Sequence, residues 1–194
     1  MRNLGYPFFE KGVQNVNTIG IRAARHATTG KPVTDEYIDL IVLAYKDERG
    51  QWRVDGHPAT TVPGLHYFRN PINQAWGTGV LVPGFYRGVY QLGRHMGLPA
   101  LQQAGTFRVY RDRNRDGFLD LVDPQECGPE CAFNLHYSWG QRNVHNASAG
   151  CQVVRYTAQS PEYSALMHLY KCAAARWGNR FSYALLLETD IPQP

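Results

Sequence analysis

Short apolar runs rich in β-branched and aromatic residues, separated by turn residues, recur along this chain and predict a mainly β protein with a minor α part. Residues 1–17 show no period; their Gly, Pro, Asn and aromatic residues predict an irregular lead-in to a single domain over 18–194. From Thr18 the texture is β-like. Asp39–Lys46 predicts a buried strand that turns at Glu48-Arg49-Gly50 into a hairpin partner over Gln51–Asp55. Residues 59–64 read as punctuation before Leu65-His66-Tyr67-Phe68. Gly79–Tyr90 forms one further β block, rich in β-branched and aromatic side chains. Phe107–Tyr110 and Phe118–Val122 predict strands on either side of a polar loop, and Phe181–Leu187 a closing strand.

One segment changes period. Ser160 suits a helix N-cap and Pro161 the first helical position. Tyr163, Leu166, Met167, Tyr170, Ala174 and Trp177 follow on one helical face, and Gly178 can end the helix. Cys172 falls on the opposite face, so it is either exposed or tied to another cysteine. The sum is a β-sandwich or barrel with one or two helices.

Composition narrows the classes. The 194 residues are 43% hydrophobic and 19% charged, as in globular domains, and suit one domain, expected to be a monomer. No apolar run is long enough for a transmembrane helix, so no integral membrane association is expected. The start, Met1-Arg2-Asn3-Leu4-Gly5-Tyr6-Pro7, lacks the apolar core of a secretory signal. Synthesis in the cytoplasm is expected, with action in the periplasm or on a target wall after release or delivery. The net charge of +4 is scattered, and the arginines at 108, 111, 113 and 115 are interleaved with acids, which argues against nucleic acid as a partner. Four cysteines are too few for a disulfide scaffold. Cys127-Gly-Pro-Glu-Cys131 lacks a second ligand pair for zinc and predicts a local disulfide or two free thiols.

The chemistry concentrates at Asn134-Leu135-His136 and Ser148-Ala149-Gly150-Cys151-Gln152. A thiol transfers acyl groups as its thiolate, and a nearby imidazole is the usual way to make one. Cys151 is the candidate nucleophile and His136 the base. Backbone N–H groups near Gly150 and Cys151 are candidate oxyanion donors, and Ser148 either orients His136 or closes the turn. The rival base, His145, stands in an Asn-rich loop and reads as a surface histidine. Tyr137 and Trp139 either line a substrate groove or cover the core.

These segments resemble the L,D-transpeptidase catalytic domain, whose signature is a His-Gly segment followed by Ser-His-Gly-Cys-(Ile/Val)-Arg. Asn134-Leu135-His136 matches the histidine strand and Ser148-Ala149-Gly150-Cys151 the cysteine turn. Thr60-Thr61-Val62-Pro63-Gly64-Leu65-His66-Tyr67-Phe68 is similar to the upstream Thr-Pro-x-Gly-x-(Phe/Tyr) segment. The resemblance covers about residues 55–155. It implies a mostly β catalytic domain that acts on peptidoglycan stem peptides through a thioester. Four positions depart from it: Ala149 replaces a histidine, Gln152-Val153 a hydrophobic-Arg pair, and Tyr137 a glycine. The missing arginine leaves Arg142 and Arg155 as candidates to hold a substrate carboxylate. The departures point to a divergent, phage-type or effector-type wall hydrolase, with hydrolysis favoured over cross-linking.

A second motif is separate. Asp112-Arg-Asn114-Arg-Asp116-Gly117-Phe118-Leu-Asp120-Leu-Val-Asp123 has the spacing of a twelve-residue calcium loop. Its ligands would be Asp112, Asn114, Asp116, the Phe118 carbonyl, Asp120 and Asp123, and the ion's role would be structural. The alternative is an Asp-Gly turn with solvated acids. A non-enzymatic, calcium-stabilised binding or structural module, such as a phage particle component, is the competing reading of the whole chain.

Overall fold

In a computed structural model, which describes residues 1–192, the chain is mainly β with eleven strands and two α-helices. The strands are β1 (Asn17–Arg22), β2 (Asp39–Lys46), β3 (Trp52–Thr60), β4 (Thr78–Leu81), β5 (Gly84–His95) and β6 (Leu98–Gln103). They continue as β7 (Phe107–Asp112), β8 (Gln125–Cys127), β9 (Leu135–Ser138), β10 (Gln152–Thr157) and β11 (Phe181–Leu187). Eight close into a barrel in the order β1-β11-β5-β6-β9-β10-β3-β2, while β4-β7-β8 form a separate three-stranded sheet. The barrel is antiparallel except at β1–β11 and β9–β10. Its thinnest seam is β6–β9, held in register at Leu101 and Leu135.

The helices are α1 (Leu65–Arg69) and α2 (Pro161–Trp177). At the start of α2 the Ser160 side chain accepts the Tyr163 N–H at 3.1 Å. Tyr163, Leu166, Met167 and Tyr170 bury against the barrel core. Ala173 is buried where Ala174 is only half-buried, and Trp177 is 51% exposed because it lies at the helix end. Its indole N–H instead donates to the Val13 carbonyl, pinning the lead-in. The half-buried Cys172 is a free thiol beside His168.

Three segments depart from the sequence pattern. The block Gly79–Tyr90 is split between β4 and β5, with Pro83, which has no N–H to give a ladder, at the crossing. Leu65-His66-Tyr67-Phe68 is helical, because Phe68 has to reach a small satellite core of Val33, Val62, Val80 and Leu119. Residues 118–122 form no strand. Leu119 belongs to that same satellite core, and its backbone is held by Gly30 and Lys31 rather than by β7, which pairs with β8 instead.

A buried polar cluster ties β1, β2 and the end of β3 together. Asp39 accepts hydrogen bonds from the Thr61 N–H and hydroxyl and from the Ala23 N–H, and contacts His26 Nδ1 at 3.0 Å. Arg22 donates to the Thr61 hydroxyl and carbonyl. Burial opposes the charge on Asp39, but these partners hold its pKa below the ordinary carboxylate value.

Candidate active site

Register brings His136 and Cys151 together. On the parallel pair β9–β10, His136 is opposite Val153. Paired residues face the same side of a sheet, as do residues two apart. Cys151 therefore shares a face with His136, whereas Leu135, Tyr137 and Val154 turn into the barrel core. His95, the last residue of β5, joins them: the donor atoms of His95, His136 and Cys151 lie within 4.8 Å of one another. No local motif marks His95 in the sequence; the β5–β6–β9 pairing delivers it.

The protonation states follow from the contacts. His136 is 1% exposed, and its Nδ1 is 2.6 Å from the Tyr137 carbonyl oxygen. A carbonyl only accepts, so Nδ1 carries the proton and Nε2 is left as a lone pair without a partner. Burial, and secondarily His95, push the His136 pKa down to about 3. The Cys151 thiol donates to the Ala132 carbonyl at 3.3 Å. Burial pushes it up to about 11, against a smaller pull from the backbone N–H groups of Asn134 and Cys151. The resting pair is a neutral thiol beside a neutral imidazole.

Two imidazoles and a thiol are also zinc ligands. However, the His95 and His136 rings stack at 3.8 Å and 11°. An ion bound along the lone pair of one ring would lie well out of the plane of the other, so this ring arrangement does not suit an ion shared by both.

The cysteine turn is built by Ser148 and Gly150. The buried Ser148 hydroxyl donates to the Cys151 carbonyl and accepts the Gly150 N–H, and it makes no bond to His136. The Gly150 N–H is thus occupied. Gly150 itself, at φ 137°, is required by space: a Cβ there would lie 2.5 Å from the Phe133 ring and 2.9 Å from the Gly79 carbonyl oxygen. The Gly64 N–H donates to the Ser148 carbonyl at 2.9 Å, so the Thr-Thr-Val-Pro-Gly segment buttresses this turn. Ala132, at φ 52°, and its neighbours Phe133 and Asn134 are not strand, and the Ala132 carbonyl accepts both the Asn134 N–H at 2.9 Å and the thiol.

His136 and Cys151 open onto a cavity of about 430 Å³. Trp139 lines it, as do Tyr67, Trp76, Phe133 and Arg111 from outside the two motifs. Arg111 is half-buried on β7 over the Trp76 ring, 5.6 Å from its centroid, and its guanidinium is 2.8 Å from Cys127 Sγ. Burial lowers its pKa. Cys127 and Cys131 form a disulfide beside it. Tyr137 does not reach the cavity; it is fully buried in the core and donates to the His95 carbonyl. Arg142 and Arg155 are exposed and lie outside the lining, as is His145, which stacks on His66. Glycine at 79, opposite Arg111, and the apolar neighbours of Phe133 are weak sequence signals for this wall.

The Asp112–Asp123 loop lies between β7 and β8. Asp112 is buried, Asp120 half-buried, and Asn114, Asp116, Phe118 and Asp123 are exposed. In comparisons with known proteins, no family model matches the chain, nor does any curated protein or solved structure.

Proposed function

We propose that the chain is a cysteine-dependent acyl-transfer enzyme acting on peptidoglycan stem peptides, with water as the acceptor. The observation that carries this reading is the placement of Cys151 and an unpartnered, lone-pair-bearing His136 on one face at the mouth of a 430 Å³ cavity. The motif resemblance supplies the substrate class. In the reaction, the Cys151 sulfur bonds to the scissile carbonyl carbon as its proton passes to His136 Nε2. The C–N bond then breaks, and the leaving amine takes that proton. Water gives a proton to His136 and its oxygen to the carbonyl carbon, the C–S bond breaks, and the proton returns to sulfur. The Cys151 N–H remains available for the oxyanion, and Arg111 is the cation placed to hold a stem-peptide carboxylate. Hydrolysis, rather than cross-linking or an L,D-transpeptidase fold in detail, is the form of the reading we favour.

A specific observation favours a second reading. A thiol pushed up to about 11 and bonded to a carbonyl is what an inert core cysteine looks like. The cavity would then belong to a binding or structural module. Purified muropeptides incubated with the protein and followed by mass spectrometry separate the two. Turnover that thiol alkylation abolishes supports the enzyme. Saturable binding without turnover on any wall type supports the module.

A further inference from the structure

We propose that the Asp112–Asp123 loop is a structural calcium site, formed by the Asp112, Asn114, Asp116, Asp120 and Asp123 side chains and the Phe118 carbonyl. Calcium takes six to eight oxygen ligands, and this order of donors with glycine sixth matches its twelve-residue loop. Spacing alone would leave a solvated acidic turn as an equal explanation. Asp112 decides between them. It is 1% exposed, and neither carboxylate oxygen has a hydrogen-bond partner. The backbone N–H groups of Arg115 and Asn114 lean toward it without hydrogen-bond geometry, while the like charges of Asp120 and Asp116 oppose its ionisation. A buried carboxylate without a hydrogen-bond partner, beside two others, has to take up either a proton or a cation, and the oxygen donors spaced around it suit a cation.

The rest of the loop is arranged around that need. Gly117 turns at φ 82°. The outward backbone groups of Gly117 and Leu119 are spent on Val33, Lys31 and Gly30, anchoring the loop to the satellite core. The Phe118 N–H points the other way, onto Asp116, and the extended backbone of its isolated bridge to Pro32 turns the Phe118 carbonyl to that same inner side. The Arg115 guanidinium donates to the Gln74 carbonyl rather than to a loop carboxylate. No three acidic side chains of the loop converge within 4.8 Å, because Asn114 holds Asp120 and Phe118 holds Asp116. Binding exchanges those two contacts for the ion, which predicts modest affinity. The proposal is independent of any reaction at Cys151.

The test is calcium alone, titrated by calorimetry into the chelator-treated full chain, with thermal melts in calcium, magnesium or chelator. Expected are one saturable calcium site, with Kd in the range of about 10⁻⁵–10⁻³ M, and a melting temperature that calcium raises and magnesium does not. Asp120→Asn, on a half-buried residue, should fold normally and bind at least about 10-fold more weakly. Asp112→Asn should lose the calcium response while its ion-free melting temperature stays the same or rises. No heat and no melting shift at about 5 mM calcium would overturn the site. So would a full calcium response in either variant.

Discussion

This barrel carries two buried polar clusters, and they differ in how completely they are satisfied. Around Asp39, both carboxylate oxygens, the Thr61 hydroxyl and His26 find partners, and only one guanidinium nitrogen of Arg22 does not. Around Cys151, the His136 Nε2 is unpartnered, the thiol is bonded to a main-chain carbonyl, and the cluster faces a cavity. Buried polar groups are expensive to leave unpaired. A cluster that closes on itself holds the fold; one left open toward a cavity has a place for a ligand to complete it.

Mutation should separate the clusters. The largest effect is expected from Cys151→Ala. Muropeptide turnover should fall by at least about 1,000-fold with the circular dichroism spectrum unchanged. Asp39→Asn should act the other way, lowering unfolding free energy by about 3–5 kcal/mol in a urea titration, because it leaves Arg22 uncompensated in the core. If Asp39→Asn is as stable as the native chain, the closed cluster is not what holds this end of the barrel.

Acid should sharpen the contrast. Native His136 stays neutral down to about 3, whereas the unfolded residue takes a proton near 6.5. Below 6.5 the unfolded state binds more protons, so stability falls as pH falls, by up to about 1.4 kcal/mol per pH unit, and levels off near 3. Urea midpoints across this window should slope for the native chain and flatten in His136→Gln. Equal slopes would mean that the imidazole is not held neutral.

A smaller change is expected at the cavity wall. Arg111→Ala should raise KM about 10-fold for muropeptides with a free stem carboxylate, with less change in kcat, reflecting one lost charged contact. An unchanged KM would remove Arg111 as the carboxylate partner.

How much of this was legible depended on whether the signal was local. The Ser160 cap, the α2 face and the β2–β3 hairpin carry their information within a few residues, and the sequence pattern predicts them. Leu135-His136-Tyr137 alternates, so opposite faces for His136 and Tyr137 follow from strand period alone, yet Tyr137 still reads as a groove residue until its core contacts are known. His95 and Arg111 were not legible. Each reaches the cavity through pairings between strands distant in sequence, and neither has a motif around it. Arg142 and Arg155 are near Cys151 in sequence, but both are exposed and neither lines the cavity. The Asp112–Asp123 spacing was plain from the sequence; the burial of Asp112 was not.

The central claim is that the open cluster forms a bond to its substrate through Cys151. Acid-quenching the protein during muropeptide turnover and weighing the peptide that carries Cys151 tests it most directly. The account predicts an added stem-peptide acyl mass on Cys151, removable by hydroxylamine and absent from Cys151→Ala, which does not turn over. Full turnover by Cys151→Ala, or turnover with the thiol never acylated, would contradict it.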